Sequence, residues 1–491
     1  MGGGTAAGKK QASTVSRLAA ILFAVAVLVI VMAAPLPVSM ATIHGAALTV
    51  QGRAALAALA FALTLWIAEA LPFHITGLLA ILVTMLLRAG DYADIVRYGF
   101  GDDIVVFFIG VLVIAACLRR SGLAKRAGSV VLAMTGNSTR AIIFGFLAAG
   151  AFLAMWITAL GSVAIIMPLA LEVLDEEGEK PGKSRFGKAL MIASAWGPLI
   201  GALGTPAGSG SNPIAIRFMS EIAGYEISFL GWMAYGVPAA LVLLPVAWII
   251  ILAFFPPERK HLAKSVEAIH TEARKRAPFT RDEKSVGIVF LSTIAIWMLS
   301  PAISQVLGMK VPISIGALIA TVTIFIPGVS SYKWKDLEKD IDWSGILLIA
   351  TGISLGTTLY KTGAAAWVAA GVLGGIGSLP TFWRIAAVAF GVFAIKVVFS
   401  SNTLTGTIIV PLVLALGTSL GLDARGLALA AALTANLAVI LVTTSPVNVV
   451  PYTTGYFTIR DMAKAGLALA VVAAFAIAAV VTVLGGAAGI V

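Results

Sequence analysis

Apolar residues run along this chain in long blocks separated by short polar connections, and no block alternates with the two-residue period of a half-buried strand. The blocks fall near residues 18–38, 53–71, 74–88, 104–118, 189–203, 229–255, 284–307, 311–327, 343–359, 425–443 and 463–485. Since roughly 20 apolar residues cross ~30 Å of hydrocarbon, the pattern predicts about eleven transmembrane helices. Two further stretches, about 139–175 and 381–421, are long enough for a helix pair but carry polar breaks at their centres. They are read as re-entrant hairpins. The break in "FSSNTLTGTIIVPLV", Phe399 to Val413, raises the question of function. Uncompensated amides and hydroxyls in hydrocarbon are costly, so such a cluster is hydrogen-bonded, hydrated or bound to something.

Composition narrows the class. Of 491 residues, 59% are hydrophobic and 12% charged, and the mean hydropathy is +1.00. A soluble domain carries more charge and a membrane barrel shows short alternating strands, which leaves an all-α polytopic membrane protein. The net charge of +11 alone would suit nucleic acid, but Lys and Arg gather between the apolar blocks, as the positive-inside rule requires. Membrane lipid, not nucleic acid, is the expected macromolecular environment. The single cysteine, Cys117, excludes an internal disulfide, and four scattered histidines give no zinc-ligand spacing.

With the N-terminus inside, "LRRSGLAKRAG", "DEEGEKPGKSRFGK", "PPERKHLAKSVEAIHTEARKRAPFTRDEK", "SSYKWKDLEKD" and "IRDMAKAG" all fall on the cytoplasmic side. The chain is therefore expected in the cell (inner) membrane, N-terminus cytoplasmic and C-terminus outside. The block after the basic opening is long for a signal peptide and is read as a retained first helix. The expected organisation is a tail over 1–17, scaffold helices over 18–118, and a first hairpin and broken helix over 119–256. A cytoplasmic linker over 257–283, scaffold helices over 284–360, and a second hairpin and broken helix over 361–491 complete it.

An internal repeat underlies this layout. "RRSGLAKRAG" resembles "YKTGAAAWVAAG", with Gly122 and Gly363 lying 241 positions apart. "WITALGSVAIIMPLALEV" parallels "FSSNTLTGTIIVPLVLAL", placing Pro168 and Pro411 243 apart. "GTPAGSGSNPIAI" parallels "VTTSPVNVVPY", with Asn212 and Asn448 236 apart. Five crossings separate the hairpins, an odd number, so the two repeats are inverted. Inverted repeats interrupted at matching positions point to a secondary transporter's midplane site. Unwound backbone there must face a cavity, a ligand or packed protein. Helix N-termini beside it attract anions, while free carbonyls and hydroxyls suit Na⁺. Ser400, Ser401, Asn402 and Thr403 mark one tip, and Thr444, Ser445 and Asn448 around Pro446 are expected to meet them.

These motifs, in this order, resemble the divalent anion:sodium symporter family, whose members carry dicarboxylates, citrate or sulfate. "SSNT" matches the second copy of its Ser-Asn-Thr signature, and "GALGTPAGSGSN" and "TTSPVNVVPYTTGYFTIRDMAKAG" match its Pro-Pro-Asn regions. "WIAEALPFHITGLL", "FIGVLVIAACLRRSGLAKR" and "GISLGTTLYKTGAAAW" extend the likeness over most of residues 60–470. The resemblance implies a Na⁺ around Ser401, Asn402 and Thr444, with Ser400 contributing through its backbone. It implies an anion facing Asn402, Thr403 and Ser445, with Gly208 (cation side) and Ser209 (anion side) in the first-half kink. It also implies a homodimer whose transport portion slides as an elevator. The first hairpin departs from the pattern: "WITAL" keeps a hydroxyl at Thr158, a candidate substrate contact, but Ala159 and Leu160 delete an amide and a hydroxyl, and Ala154 lacks a side-chain oxygen. One sodium site is expected and a second is weakened. Ser162, Thr205, Ser209 and Ser211 are the alternative donors.

Lys396, one helical turn before Ser400, lies too deep to snorkel and is a candidate coupling charge, replacing a Na⁺ or pairing with the anion. Its bland alternatives are a structural ion pair and a cytoplasm-accessible crevice. Glu69, Asp102 and Asp103 (helix caps), Lys125, Lys188, His44 and His74 are read as structural. The expected function is a sodium-coupled secondary transporter for small, C4-dicarboxylate-like divalent anions. The rivals are a sodium-independent exchanger and a sulfate or sulfonate carrier, because hydroxyl and amide donors fit carboxylate and sulfate alike. No catalytic constellation supports an intramembrane enzyme, and paired dead-end hairpins argue against a channel.

Overall fold

The computed structural model describes residues 14–35, 42–43, 46–262, 278–420, 422–487 and 489. These are overwhelmingly helical, with one short antiparallel ladder pairing Thr42–Ile43 with Ala46–Ala47. Hydrocarbon offers no partner for a backbone N–H or C=O, so a spanning segment must close its hydrogen bonds internally. Side chains cap several exposed ends. Thr49 accepts the Gly52 N–H, Asp102 accepts that of Ile104, and Thr280 and Glu283 form a reciprocal capping box. The Asp102 cap is the role expected for it.

In chain order the helices are α1 (Thr14–Ala33), α2 (Val50–Ile67), α3 (Phe73–Leu86), α4 (Tyr92–Phe100), α5 (Asp103–Arg120), α6 (Leu123–Ala133), α7 (Thr139–Ile157) and α8 (Ala159–Glu176). There follow α9 (Arg185–Gly201), α10 (Ser211–Ala223), α11 (Phe229–Phe254), α12 (Arg281–Leu307), α13 (Ile313–Ile324), α14 (Trp334–Leu337) and α15 (Trp343–Lys361). The last are α16 (Ala364–Leu373), α17 (Thr381–Lys396), α18 (Asn402–Leu420), α19 (Arg425–Ala435), α20 (Pro446–Tyr452) and α21 (Ile459–Ala487). Among the described residues eight helices are long and apolar enough to cross a membrane, counting Tyr92–Arg120 as one bent run. The block read as 104–118 is the second half of that run. α3 and α13 are apolar but shorter.

The repeat is plain in three dimensions. The series α5, α6, hairpin α7–α8, broken helix α9–α10, α11 is answered by α15, α16, hairpin α17–α18, broken helix α19–α20, α21. Gly122 (φ 85°) and Gly363 (φ 76°), matched in the sequence repeat, are the left-handed residues that turn α5 into α6 and α15 into α16. Packing is reciprocal. The returning arm α8 lies on α9 of its own repeat and on α20 of the other; the returning arm α18 lies on α19 and on α10. Each hairpin therefore staples the two halves together, and the two breaks come side by side between them. The outward arm α7 presses on α9 so closely that a Cβ at Gly201 would stand 2.0 Å from the Ala151 carbonyl oxygen, so only glycine fits.

Residues 263–277 of the expected linker lie outside the described residues. Its two ends dock on the first hairpin and its neighbours. Thr139 Oγ1 donates to the Arg259 carbonyl (2.7 Å), the backbone N–H groups of Arg185 and Phe186 donate to Glu258 (2.6 and 3.1 Å), and Glu283 takes Arg126 Nε (2.9 Å). The expected tail over residues 1–13, and His44, also lie outside the described residues.

Candidate substrate and cation site

Both broken helices are braced by the same device. The side-chain amide of Asn212 donates to the carbonyls of Ala202 and Thr205, each at 2.8 Å, ten and seven residues back. That of Asn448 donates to Ala438 and Leu441, at 2.5 and 3.2 Å, again ten and seven residues back. An unwound stretch leaves carbonyls without N–H partners, and in each break the amide at the head of the resumed helix takes one such carbonyl, Ala202 or Ala438, and adds a bond to a second, Thr205 or Leu441, that also accepts a backbone N–H. Asn448 therefore holds its own break in shape instead of meeting the hairpin tip.

Between the braces lies a polar cluster that crosses the repeats. Asn436, the first residue after α19, is fully buried and was not singled out from the sequence. Its Nδ2 donates to Asn212 Oδ1 (2.7 Å) and to the Ala432 carbonyl (3.1 Å), and its Oδ1 accepts from Ser211 Oγ (2.8 Å). Ser209 Oγ lies 3.2 Å from Ser211 Oγ. From the second hairpin, Asn402 Nδ2 donates to the Asn436 carbonyl (3.3 Å). Thr403 packs on the first break, where a Cβ at Gly210 would meet its Oγ1 at 2.7 Å. The structure thus brings Ser209, Asn402 and Thr403 together, the first from one repeat and the other two from the second. Those three are partly exposed, while Ser211, Asn212 and Asn436 are buried behind them. Buried amides orient; partly exposed hydroxyls and amides are available to a solute. The one signal for Asn436 in the sequence was an amide closing the alanine-rich run "LALAAALTAN".

The donor set fits a sodium ion on this side. Among the described residues Asn402 Oδ1 is buried and has no hydrogen-bond partner, and the carbonyls of Leu437 and Ile440 accept no backbone hydrogen bond, while that of Val439 is packed against Gly466 of α21. Oxygen ligands of this kind are what a hard monovalent cation takes. The remaining expected residues divide. Ser401 Oγ accepts the Leu404 N–H (3.3 Å) at the start of α18, and Ser400 Oγ donates to Glu69 Oε1 (3.2 Å). Thr444 Oγ1 donates to the Leu441 carbonyl (2.7 Å), and Ser445 caps α20 by accepting the Val447 N–H (3.3 Å). Both are buried, and no hydrogen bond joins either to the tip among the described residues. Gly208 is packed on the Ala202 backbone.

At the first tip Thr158 has φ 67° and ψ 158°, a region otherwise open almost only to glycine. Such a conformation costs about 1–3 kcal/mol and persists only where the surroundings impose it. Its hydroxyl accepts the Gly161 N–H (3.4 Å), capping α8. Arg119 Nη1 lies 3.2 Å from where a Cβ on Gly161 would sit, so a guanidinium stands beside this tip. Of the four alternative donors, Ser162 and Thr205 are committed to the Gly150 and Met155 carbonyls, at 2.7 and 2.5 Å. Ser209 and Ser211 remain in the cluster. Lys396 is 2% exposed and its Nζ has no hydrogen-bond partner among the described residues, so the structural ion pair considered for it is not formed with any of them.

The model of the sodium:sulfate symporter transmembrane region matches residues 15–488. A sodium-dependent dicarboxylate transporter, SdcS, of Staphylococcus saprophyticus is 29% identical over 421 residues, covering 82% of this chain and 80% of that protein. SdcS of Staphylococcus aureus strain USA300 is 27% identical over 439 residues, covering 85% and 83%. Among solved structures, the YdaH transporter of Alcanivorax borkumensis is similar with a TM-score of 0.45 and 12% identity, over 80% of this chain and 86% of that one.

Proposed function

Because the chain belongs to the sodium:sulfate symporter transmembrane family, a family of multi-pass membrane transporters, we propose that it is a secondary carrier of small divalent anions, C4-dicarboxylates first among them, driven by Na⁺. The observation that supports this best is the meeting of Asn402 and Thr403 with Ser209 and Gly210, donors from two repeats on one partly exposed cluster. The sodium dependence named for the SdcS relatives supports the choice of cation and of dicarboxylate.

In this reading Asn402 Oδ1, the Ser400 and Ser401 backbone and the free carbonyls after Asn436 hold Na⁺, with Thr444 and Gly208 lining the two breaks. Asn402 Nδ2, Thr403 and Ser209 receive the anion; Ser445 and Thr158 flank it. The cation's chemistry is charge compensation: an anion alone is expelled by a low-dielectric barrier, whereas a neutralised pair crosses it. The first tip, without the amide and hydroxyl at 159 and 160, adds little to a second cation site. The hairpins and broken helices form a transport portion that moves as an elevator against the scaffold helices of a homodimer. The chain sits in the cell membrane, N-terminus cytoplasmic and C-terminus outside.

Succinate uptake into proteoliposomes, with and without a sodium gradient, tests the reading. Uptake that rises with the gradient and disappears in Asn402→Ala is expected. Equal rates in sodium-free vesicles would replace coupling with exchange, and equal rates in Asn402→Ala would remove the tip from the site.

A further inference from the structure

The two hairpin tips differ in what they offer a solute. Through the offset that pairs Pro168 with Pro411, Thr158, Ala159 and Leu160 answer Ser401, Asn402 and Thr403. The second tip therefore carries an amide and a hydroxyl where the first carries two aliphatic side chains. A charge stands beside the first tip instead. Arg119 Nη1 lies 3.2 Å, and Thr158 Oγ1 3.5 Å, from the point that a Cβ on Gly161 would occupy. The offset that pairs Gly122 with Gly363 sets Tyr360 against Arg119, so the second repeat has no cation at that position.

The guanidinium is anchored at one end. Its Nη2 donates to the Asp340 carbonyl (3.1 Å), while the Asp340 carboxylate takes Arg120 Nε. Among the described residues Nη1 makes no hydrogen bond. Arg119 and Thr158 are partly exposed and Leu160 is exposed, so a solute can reach this tip. The tip also adjoins the first break, where Thr205 Oγ1 donates to the Met155 carbonyl and Ser209 follows four residues on. A partly desolvated guanidinium favours an anion, and its planar fork matches a carboxylate through parallel N–H···O bonds.

We propose that Arg119 is a specificity-determining contact, taking the far carboxylate of a C4 dicarboxylate whose near carboxylate rests on Asn402 Nδ2, Thr403 and Ser209. This rests on the anion-carrier reading and adds to it a reason for two charges on the substrate. A monocarboxylate fills one end and leaves the guanidinium without its anion. α5 belongs with the scaffold helices and the tip with the transport portion, so Arg119 acts where the anion docks and not throughout its passage.

Isothermal titration calorimetry of the purified full chain in sodium chloride tests this, with succinate as the probe and butyrate as its one-carboxylate competitor. In Arg119→Gln the succinate Kd is expected to rise at least about tenfold, the loss of one charge-assisted contact, while the butyrate Kd from displacement changes less than about threefold. Arg119→Lys keeps the charge without the fork and is expected to bind succinate with a Kd between those of the parent and the glutamine variant. The conclusion then does not depend on how well one variant folds. An arginine that merely tethers the Asp340 turn would weaken both anions together. An unchanged succinate Kd in Arg119→Gln, or equal weakening of succinate and butyrate, overturns the proposal and leaves the carrier reading intact. A lysine variant that binds succinate no better than the glutamine variant overturns it too. Failure of succinate, sulfate and citrate alike to bind the unaltered protein overturns the carrier reading, and the proposal with it.

Discussion

Asn436→Ala is the most direct probe of the cluster that joins the repeats. The substitution deletes three side-chain hydrogen bonds, to Asn212 Oδ1, to the Ala432 carbonyl and from Ser211 Oγ. Interhelical hydrogen bonds in membrane proteins average about 0.6 kcal/mol and reach about 1.7, and two of the three cross between helices, so these two amount to roughly 1–3 kcal/mol. Ser211 Oγ lies 3.4 Å from Asn212 Oδ1 and can turn to it, recovering part of the loss. The expected destabilisation is therefore roughly 1–3 kcal/mol. Reversible unfolding in mixed micelles measures it, and a double-mutant cycle with Asn212→Ala isolates the pair, with an expected coupling of about 1 kcal/mol. Asn436→Asp sharpens the test, because it sets an acceptor against the Asn212 acceptor and should be worse than alanine. Strict additivity in the cycle, or an aspartate variant as stable as the parent, would refute the inter-repeat contact and the position given to the second break.

Other substitutions probe neighbouring features. Gly201→Ala should yield no folded, monodisperse protein on size-exclusion chromatography, because its Cβ meets backbone at 2.0 Å; Gly210→Ala meets only side-chain atoms, at 2.7 and 3.1 Å, and should fold but bind succinate more weakly. Arg217 of α10 pairs with the buried carboxylate of Asp102 at the head of α5 and with Glu221 at 3.2 Å, beside a cleft of about 600 Å³. Arg217→Gln should cost roughly 2–3 kcal/mol in thermal unfolding, and adding Asp102→Asn should recover most of it, since an orphaned buried charge is the main loss. Burial raises the Glu258 carboxyl, but the N–H groups donated by Arg185 and Phe186 outweigh it and hold the group below the usual carboxylate range. A lowered folded value means its stabilisation is present above the ordinary glutamate pKa and lost as pH falls through the folded one. The stability gap between the parent and Glu258→Gln should therefore narrow as pH falls below the ordinary glutamate range.

Much of this molecule was legible in one dimension. Block length and missing alternation determined the all-helical membrane class, because hydrocarbon forces each segment to satisfy its own backbone and so makes the choice of helix local. The pairs Gly122 with Gly363 and Asn212 with Asn448 were visible as a repeat, and they reappear as matched left-handed turns and matched braces. The tip "SSNT" and the break "GSGSN" were readable as interruptions for the same local reason. What each polar group touches was not. Asn448 had been expected to meet the hairpin tip and instead ties its own break, Ser162 and Thr205 are committed to backbone carbonyls, and Asn436 passed unnoticed in an alanine-rich run. Those outcomes belonged to the tertiary structure. An amide buried in hydrocarbon takes whatever partner packing brings within 3 Å, and Asn436 takes one 224 residues away, a distance over which no local pattern carries information.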